Sequence, residues 1–208
     1  MAERIPVNPG RVEWSGDNPG IYLKESPEGD WTRLASFFRI ALSPHGRGQA
    51  MVVLGAPDQA AGYPEAPNLC LADNRPLMDY LLDGFLSRFP TFRGRPGLEA
   101  MAILPLQSAE TLGDFESAYS EVAKGAEVSL RMTWRRIGKP FAVEVAPDQC
   151  ATGAHDMYSL FMEAGDAEIA INDVPLSGQV VSRPFFGTTM STAFLAFSET
   201  WVAPPGVP

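Results

Sequence analysis

The sequence predicts a mainly β protein, a β-rich α+β chain built on an antiparallel barrel or sandwich with one main helix. Three observations predict it. Gly and Pro number 19 each among 208 residues, roughly 18% together against about 12% in ordinary chains, so turns are frequent. Apolar runs of strand length recur, each bounded by Gly, Pro, Asn or Asp. One segment alone carries helical periodicity, whereas a parallel sheet would need a crossover helix between successive strands.

Residues 1–30 read as a turn-rich lead-in, with Pro6, Pro9, Gly10, Gly16, Pro19 and Gly20 leaving room for one short strand at Ile21–Lys24. Residues 31–202 read as a single β-rich domain. Ala35–Leu42 and Ala50–Leu54 are strands parted by Ser43-Pro44-His45-Gly46, a strong turn signal. Asn68–Ala72 and Ala100–Leu106 are further short strands. Between them, Leu77, Tyr80, Leu81, Gly84, Phe85 and Phe89 recur at the spacing of one helical face, which predicts a helix over 76–89. Asp73 or Asn74 can cap it, Pro76 fits its first turn, and Pro90 ends it.

Val128, Leu130, Met132 and Trp134 alternate with polar residues, the period of a half-buried strand. Phe141, Val143 and Val145 do the same, and Ile137-Gly138-Lys139-Pro140 between them predicts a hairpin. Tyr158–Glu163 and Glu168–Ile171 flank Ala164-Gly165-Asp166-Ala167, which predicts another. Asn172-Asp173 starts a turn toward Gln179–Arg183, and Thr192–Val202 is the last strand. Residues 203–208, with Pro204, Pro205 and Pro208, read as a Pro-rich tail.

Charge narrows the partners. Lys and Arg total 16 against 25 Asp and Glu, a net charge of −9. An acidic chain lacks the basic face that nucleic acid or an anionic membrane requires. Met1–Val7 has neither a basic n-region nor an apolar h-region, so it reads as no signal peptide. No window reaches the roughly 18 apolar residues of a membrane span. Cys70 and Cys150, far apart, read as reduced thiols of a cytoplasmic protein.

The motifs of nucleotide, zinc and serine-hydrolase chemistry are absent: G-x-G-x-x-G after a strand, the P-loop, H-E-x-x-H, C-x-x-C and G-x-S-x-G. No cofactor and no metal is expected. Cys150 and His155 with Asp148 or Asp156 match no established ligand spacing.

Two residues reach toward acid–base chemistry. His155 is delivered into a strand by the polar stretch Cys150-Ala151-Thr152-Gly153-Ala154, and histidine titrates near neutral pH. Glu199, counted by twos, shares a face of the last strand with Leu195, Phe197 and Trp201. If that face is interior, Glu199 is a buried carboxyl with a raised pKa; a bulge would exchange the two faces. Arg183, like the arginines at 88, 93, 95, 135 and 136, could hold a carboxylate or phosphate. The aromatic set of 12 Phe, 5 Tyr and 4 Trp supplies walls for a ligand cavity. Trp134, Tyr158, Arg183, Phe197 and Trp201 are the expected ligand-binding residues, with Phe37, Phe38, Phe161, Phe185 and Phe186 as further wall.

Gly29-Asp30-Trp31-Thr32-Arg33-Leu34-Ala35 resembles the G-x-W opening of lipocalins and other calycins, where it enters the first barrel strand. The resemblance implies a calycin-like closed barrel and carries over no functional residue.

Three functions follow. The first is binding of a small apolar or amphipathic ligand in a barrel or sheet cavity. The alternative is a cofactor-independent isomerase, lyase or hydratase using His155 and Glu199 as acid–base groups. The second alternative is a homo-oligomeric interaction module using a strand edge or the helix face.

Overall fold

The computed structural model describes residues 9–206. Expectations about Met1–Val7, and the last two residues of the tail, lie outside that range. The described residues form sixteen strands and one main helix. Strands β1 (Arg11–Asp17), β2 (Gly20–Lys24), β3 (Trp31–Leu42), β4 (Gly48–Leu54), β5 (Gly62–Tyr63) and β6 (Ala66–Ala72) precede helix α1 (Arg75–Gly84). A 3-10 turn at Leu86–Arg88 and the short helix α2 (Pro96–Glu99) follow. Then come β7 (Ala102–Pro105), β8 (Ser108–Gly113), β9 (Ala118–Lys124), β10 (Ser129–Ile137), β11 (Phe141–Val145) and β12 (Asp156–Ile171). The chain closes with β13 (Val174–Pro175), β14 (Ser182–Phe185), β15 (Thr188–Ser191) and β16 (Ala193–Ala203).

One 14-stranded sheet has the main order β5-β6-β4-β3-β1-β16-β12-β10-β9-β8. Its pairs are antiparallel except β6 with β7. The order ends in two edges, β5 and β8, so the closed barrel implied by the Gly29–Trp31 stretch is not formed. Trp31 does enter a strand, but as the third element of an open sheet.

The sheet folds over on itself and makes two apolar layers. Between its halves, Ile21, Leu23, Phe37, Met51 and Leu71 meet Leu130, Met132, Trp134 and Ile169. On the other face of β3 and β4, Leu34, Phe38, Val52 and Leu54 pack with Leu77, Met78 and Leu81 of α1. Burial on both faces explains why these strands read as continuous apolar runs rather than alternations. Helix α1 starts as expected: the Asn74 side chain accepts from the Leu77 amide at 3.1 Å, and Pro76 needs no donor in the first turn.

Three expectations are corrected. The stretch expected as a turn-rich lead-in places β1 between β3 and β16, inside the sheet. Residues 129–145 form no hairpin: β10 pairs with β9 and β12, while β11 pairs with β12. Ala164-Gly165-Asp166-Ala167 is no turn but lies within the 16-residue β12. That strand pairs with β16 through Glu163 and with β10 from Ala164 onward. Gly165 therefore sits where the strand passes from one neighbour to another, the close-approach use of a strand glycine.

Candidate ligand cavity

A single residue decides which side chains meet at the site. Ser198 in β16 has φ +51°, and the pairing with β12 slips between Leu160–Phe197 and Tyr158–Thr200. This is a β-bulge, with the Ser198 amide held by Asp17 Oδ1 at 3.1 Å. The extra residue shifts parity. Leu195 and Phe197 pack in the layer between the sheet halves, while Trp201 joins Phe194 and Ala196 on the opposite face. The four residues Leu195, Phe197, Glu199 and Trp201, expected on one face, are thus split by the bulge.

On the Trp201 side lies a cavity of about 250 Å³. Tyr22, Met157, Phe161, Phe194 and Trp201 contribute from the main sheet, and Arg183 to Phe186 from the β14–β15 hairpin. Gln149 to Ala151 and Phe89 to Thr91 complete the wall, with Asn18 from the β1–β2 turn. The rings interlock, Phe161 with Phe185 and Tyr22 with Phe194 edge to face and Phe161 with Phe194 tilted, arrangements that their quadrupoles favour. Phe161 lies 5.3 Å from Phe185 and 5.6 Å from Phe194, and Tyr22 lies 5.5 Å from Phe194.

Glu199 stands one layer behind this wall and is 3% exposed. Its Oε1 accepts from Trp201 Nε1 at 2.8 Å and from Asn18 Nδ2 at 3.2 Å. Asn18 Oδ1 accepts in turn from the Ser36 hydroxyl at 2.6 Å. Burial pushes the Glu199 carboxyl up to about 7, against these two hydrogen bonds and with help from the Asp17 charge. The carboxyl therefore keeps its proton close to neutrality.

His155 faces elsewhere. It lines a second pocket of about 300 Å³ with Arg11, Glu13, Tyr80 and Arg88. Its Nδ1 lies 2.8 Å from Thr152 Oγ1, and its ring packs on Phe85 at 5.3 Å and Trp201 at 6.1 Å. Burial pulls its pKa below the usual 6.5, partly opposed by Glu13. Trp201 touches both His155 and Glu199, but the two groups do not open onto one cavity.

Of the expected ligand-binding residues, Arg183 and Trp201 line the cavity, together with Phe161, Phe185 and Phe186. Trp134 is buried between the sheet halves, its Nε1 donating to Gly20 O at 3.2 Å. Phe197 packs against Tyr119 and Phe115 in that same layer. Tyr158 points away, its hydroxyl donating to Glu144 at 3.4 Å. Phe37 and Phe38 are solid core.

Sequence reasoning missed Asn18 and Tyr22. A signal exists for Tyr22: alternation along Gly20–Lys24 sets it opposite Ile21 and Leu23. Asn18, before Pro19-Gly20, reads as a turn residue and nothing more. Cys70 and Cys150 are free and buried, and burial pushes the Cys150 thiol up, away from reactivity. Among the described residues no group of three or more His, Cys, Asp or Glu could hold a metal ion, and no helix is long and apolar enough to cross a membrane.

Fold and site together define a mainly antiparallel β protein with an aromatic cavity on one sheet face. Compared with known proteins, the chain matches no family model, no curated protein and no solved structure.

Proposed function

We propose that this chain binds a small, largely apolar molecule between β16 and the β14–β15 hairpin. One observation carries the reading: a cavity of about 250 Å³ walled mainly by Tyr22, Phe161, Phe185, Phe194, Trp201 and Met157, with few polar groups. Ligand sites are typically concave, apolar and sparsely polar, and run from about 300 Å³ for drug-sized ligands. The smaller volume here suits a single ring or a short chain.

The test fills the space. Ala151 lines the cavity and is half-buried, so Ala151→Trp should occupy it. Titration of small aromatic and aliphatic probes, followed by Trp fluorescence and NMR shifts, should saturate with the natural sequence and fail with the variant. No saturable response, or an undiminished one in a folded Ala151→Trp, would overturn the reading.

Acid–base catalysis is the second reading, favoured by the neutral, buried Glu199. It ranks lower because His155 lines a separate pocket while Glu199 lies behind the cavity wall and lines neither pocket, whereas one substrate would have to reach both within hydrogen-bond distance.

A further inference from the structure

The polar groups of the cavity are unbalanced. Among the described residues, Arg183 is the one charged residue on its wall, and none of the lining residues is Asp or Glu. Its Nε is sealed from solvent without a hydrogen-bond partner, and among the described residues no carboxylate pairs with the guanidinium. What surrounds the charge instead is aromatic. Arg183 Cζ lies 5.5 Å from the ring centroids of Tyr22, Phe185 and Phe194. Ring faces compensate a cation only in part, so the protein keeps a charge in an apolar site without its counter-ion.

A second donor stands beside it. Tyr22 is buried, and no described residue shares a hydrogen bond with its hydroxyl. Burial pushes this phenol up to about 12, so it remains an O–H group. Two donor groups therefore border the cavity, and among the described residues neither is hydrogen-bonded to an acceptor. The carboxyl behind the wall, Glu199, already accepts from Trp201 and Asn18 through Oε1. Being protonated through most of the range below neutrality, it neither cancels the Arg183 charge nor repels an anion there.

We propose that the bound molecule is a small monocarboxylic acid, its carboxylate received by Arg183 and the Tyr22 hydroxyl and its hydrocarbon part seated among Phe161, Phe185, Phe194 and Trp201. This rests on the binding reading above and adds the chemical class of the ligand. The planar guanidinium fork matches a carboxylate. A phosphate dianion would ask for further cations or a helix N-terminus, and the wall has neither. The net charge of −9 gives no long-range attraction for anions, so recognition is local to this arginine.

The experiment uses neutral isosteres. Benzoate is compared with nitrobenzene, and hexanoate with 1-nitropentane, by calorimetry or NMR titration at about pH 6, where Glu199 holds its proton and both acids are ionised. At least one acid should bind about tenfold or more tighter than its nitro partner, the scale of one charge-assisted pair. Arg183→Met should remove that preference and leave the nitro compound within about threefold. Tyr22→Phe, which keeps the ring, should lower acid affinity severalfold and serves if Arg183→Met does not fold. Equal binding of acid and isostere, or equal loss of both in Arg183→Met, would overturn the carboxylate while leaving the apolar cavity reading intact. Tighter binding of phenyl phosphate than of benzoate would also overturn it. Failure of all four probes with the natural sequence would count against the binding reading itself.

Discussion

Glu199 is where the chemistry of one residue becomes a property of the whole fold. Its carboxyl moves from 4.5 to about 7 on burial, so the folded state holds the proton more tightly than the unfolded chain. The stability contributed by this group is then fully present below pH 4.5, falls as pH rises toward 7, and is lost above. The shift corresponds to about 3 kcal/mol. Gln at this position keeps an oxygen for the Trp201 and Asn18 donors and cannot ionise. Urea unfolding at a series of pH values should therefore show Glu199→Gln losing this slope and exceeding the natural protein above pH 7. Superimposable pH profiles would refute a buried neutral carboxyl. Both possibilities for Glu199 were legible in the sequence, since each face of β16 is apolar enough to be interior. What decides between them is Ser198, and an exposed serine in a strand carries no local mark of a bulge.

At the scale of elements, that bulge places Trp201 and Glu199 on the cavity side. Ser198 has φ +51°, a conformation that Gly adopts freely and β-branched residues resist. Ser198→Gly should be neutral or stabilising by up to about 1 kcal/mol, and Ser198→Val should cost about 1–2 kcal/mol. Denaturant melts give both values; equal stability of the two variants would mean that the backbone relaxes into a regular strand there. Strand existence was largely readable, because Gly20–Lys24, Gly48–Leu54 and Ala193–Ala203 each carry an apolar run between turn residues. Partners were less so. Gly165 and Asp166 have turn propensity, yet β12 runs through them because Ala164–Ile171 pairs along β10, and long-range pairing outweighs a local preference. The expected hairpin between β10 and β11 fails for the same reason. Each finds its partner in β12, from opposite ends, and adjacency in sequence gives no hint of that.

The whole molecule depends on contacts between strands far apart in the sheet order, and these leave the least trace in sequence. β3 and β9 are separated by β1, β16, β12 and β10 along the sheet. Nevertheless Arg39 of β3 donates to Glu121 Oε2 of β9 at 2.8 Å and to Thr111 Oγ1 of β8 at 2.9 Å. Glu121 is 0% exposed, and its Oε1 accepts from the Tyr119 hydroxyl at 2.6 Å. Here the folded-over sheet is fastened to itself, beside the Trp134–Gly20 bond that joins β10 to β2. Removing one partner of such a pair leaves the other charge buried and uncompensated, which costs more than the pair is worth. Arg39 is partly exposed, with a third of its side chain reaching solvent, so water can enter and soften the loss. Arg39→Met should destabilise by about 2–4 kcal/mol, because Glu121 keeps only neutral donors. Adding Glu121→Gln removes the stranded charge and should restore part of that loss, a coupling of about 1 kcal/mol or more in a double-mutant cycle. Equilibrium unfolding of the four proteins measures it. Strict additivity, or an Arg39→Met cost below about 0.5 kcal/mol, would mean that the apolar layer of Phe37, Met51, Met132 and Trp134 holds the halves together alone. A measurable coupling would make Arg39–Glu121 a fastening that acts together with that layer, and would explain why β9 retains a fully buried carboxylate opposite a strand so distant in the sheet.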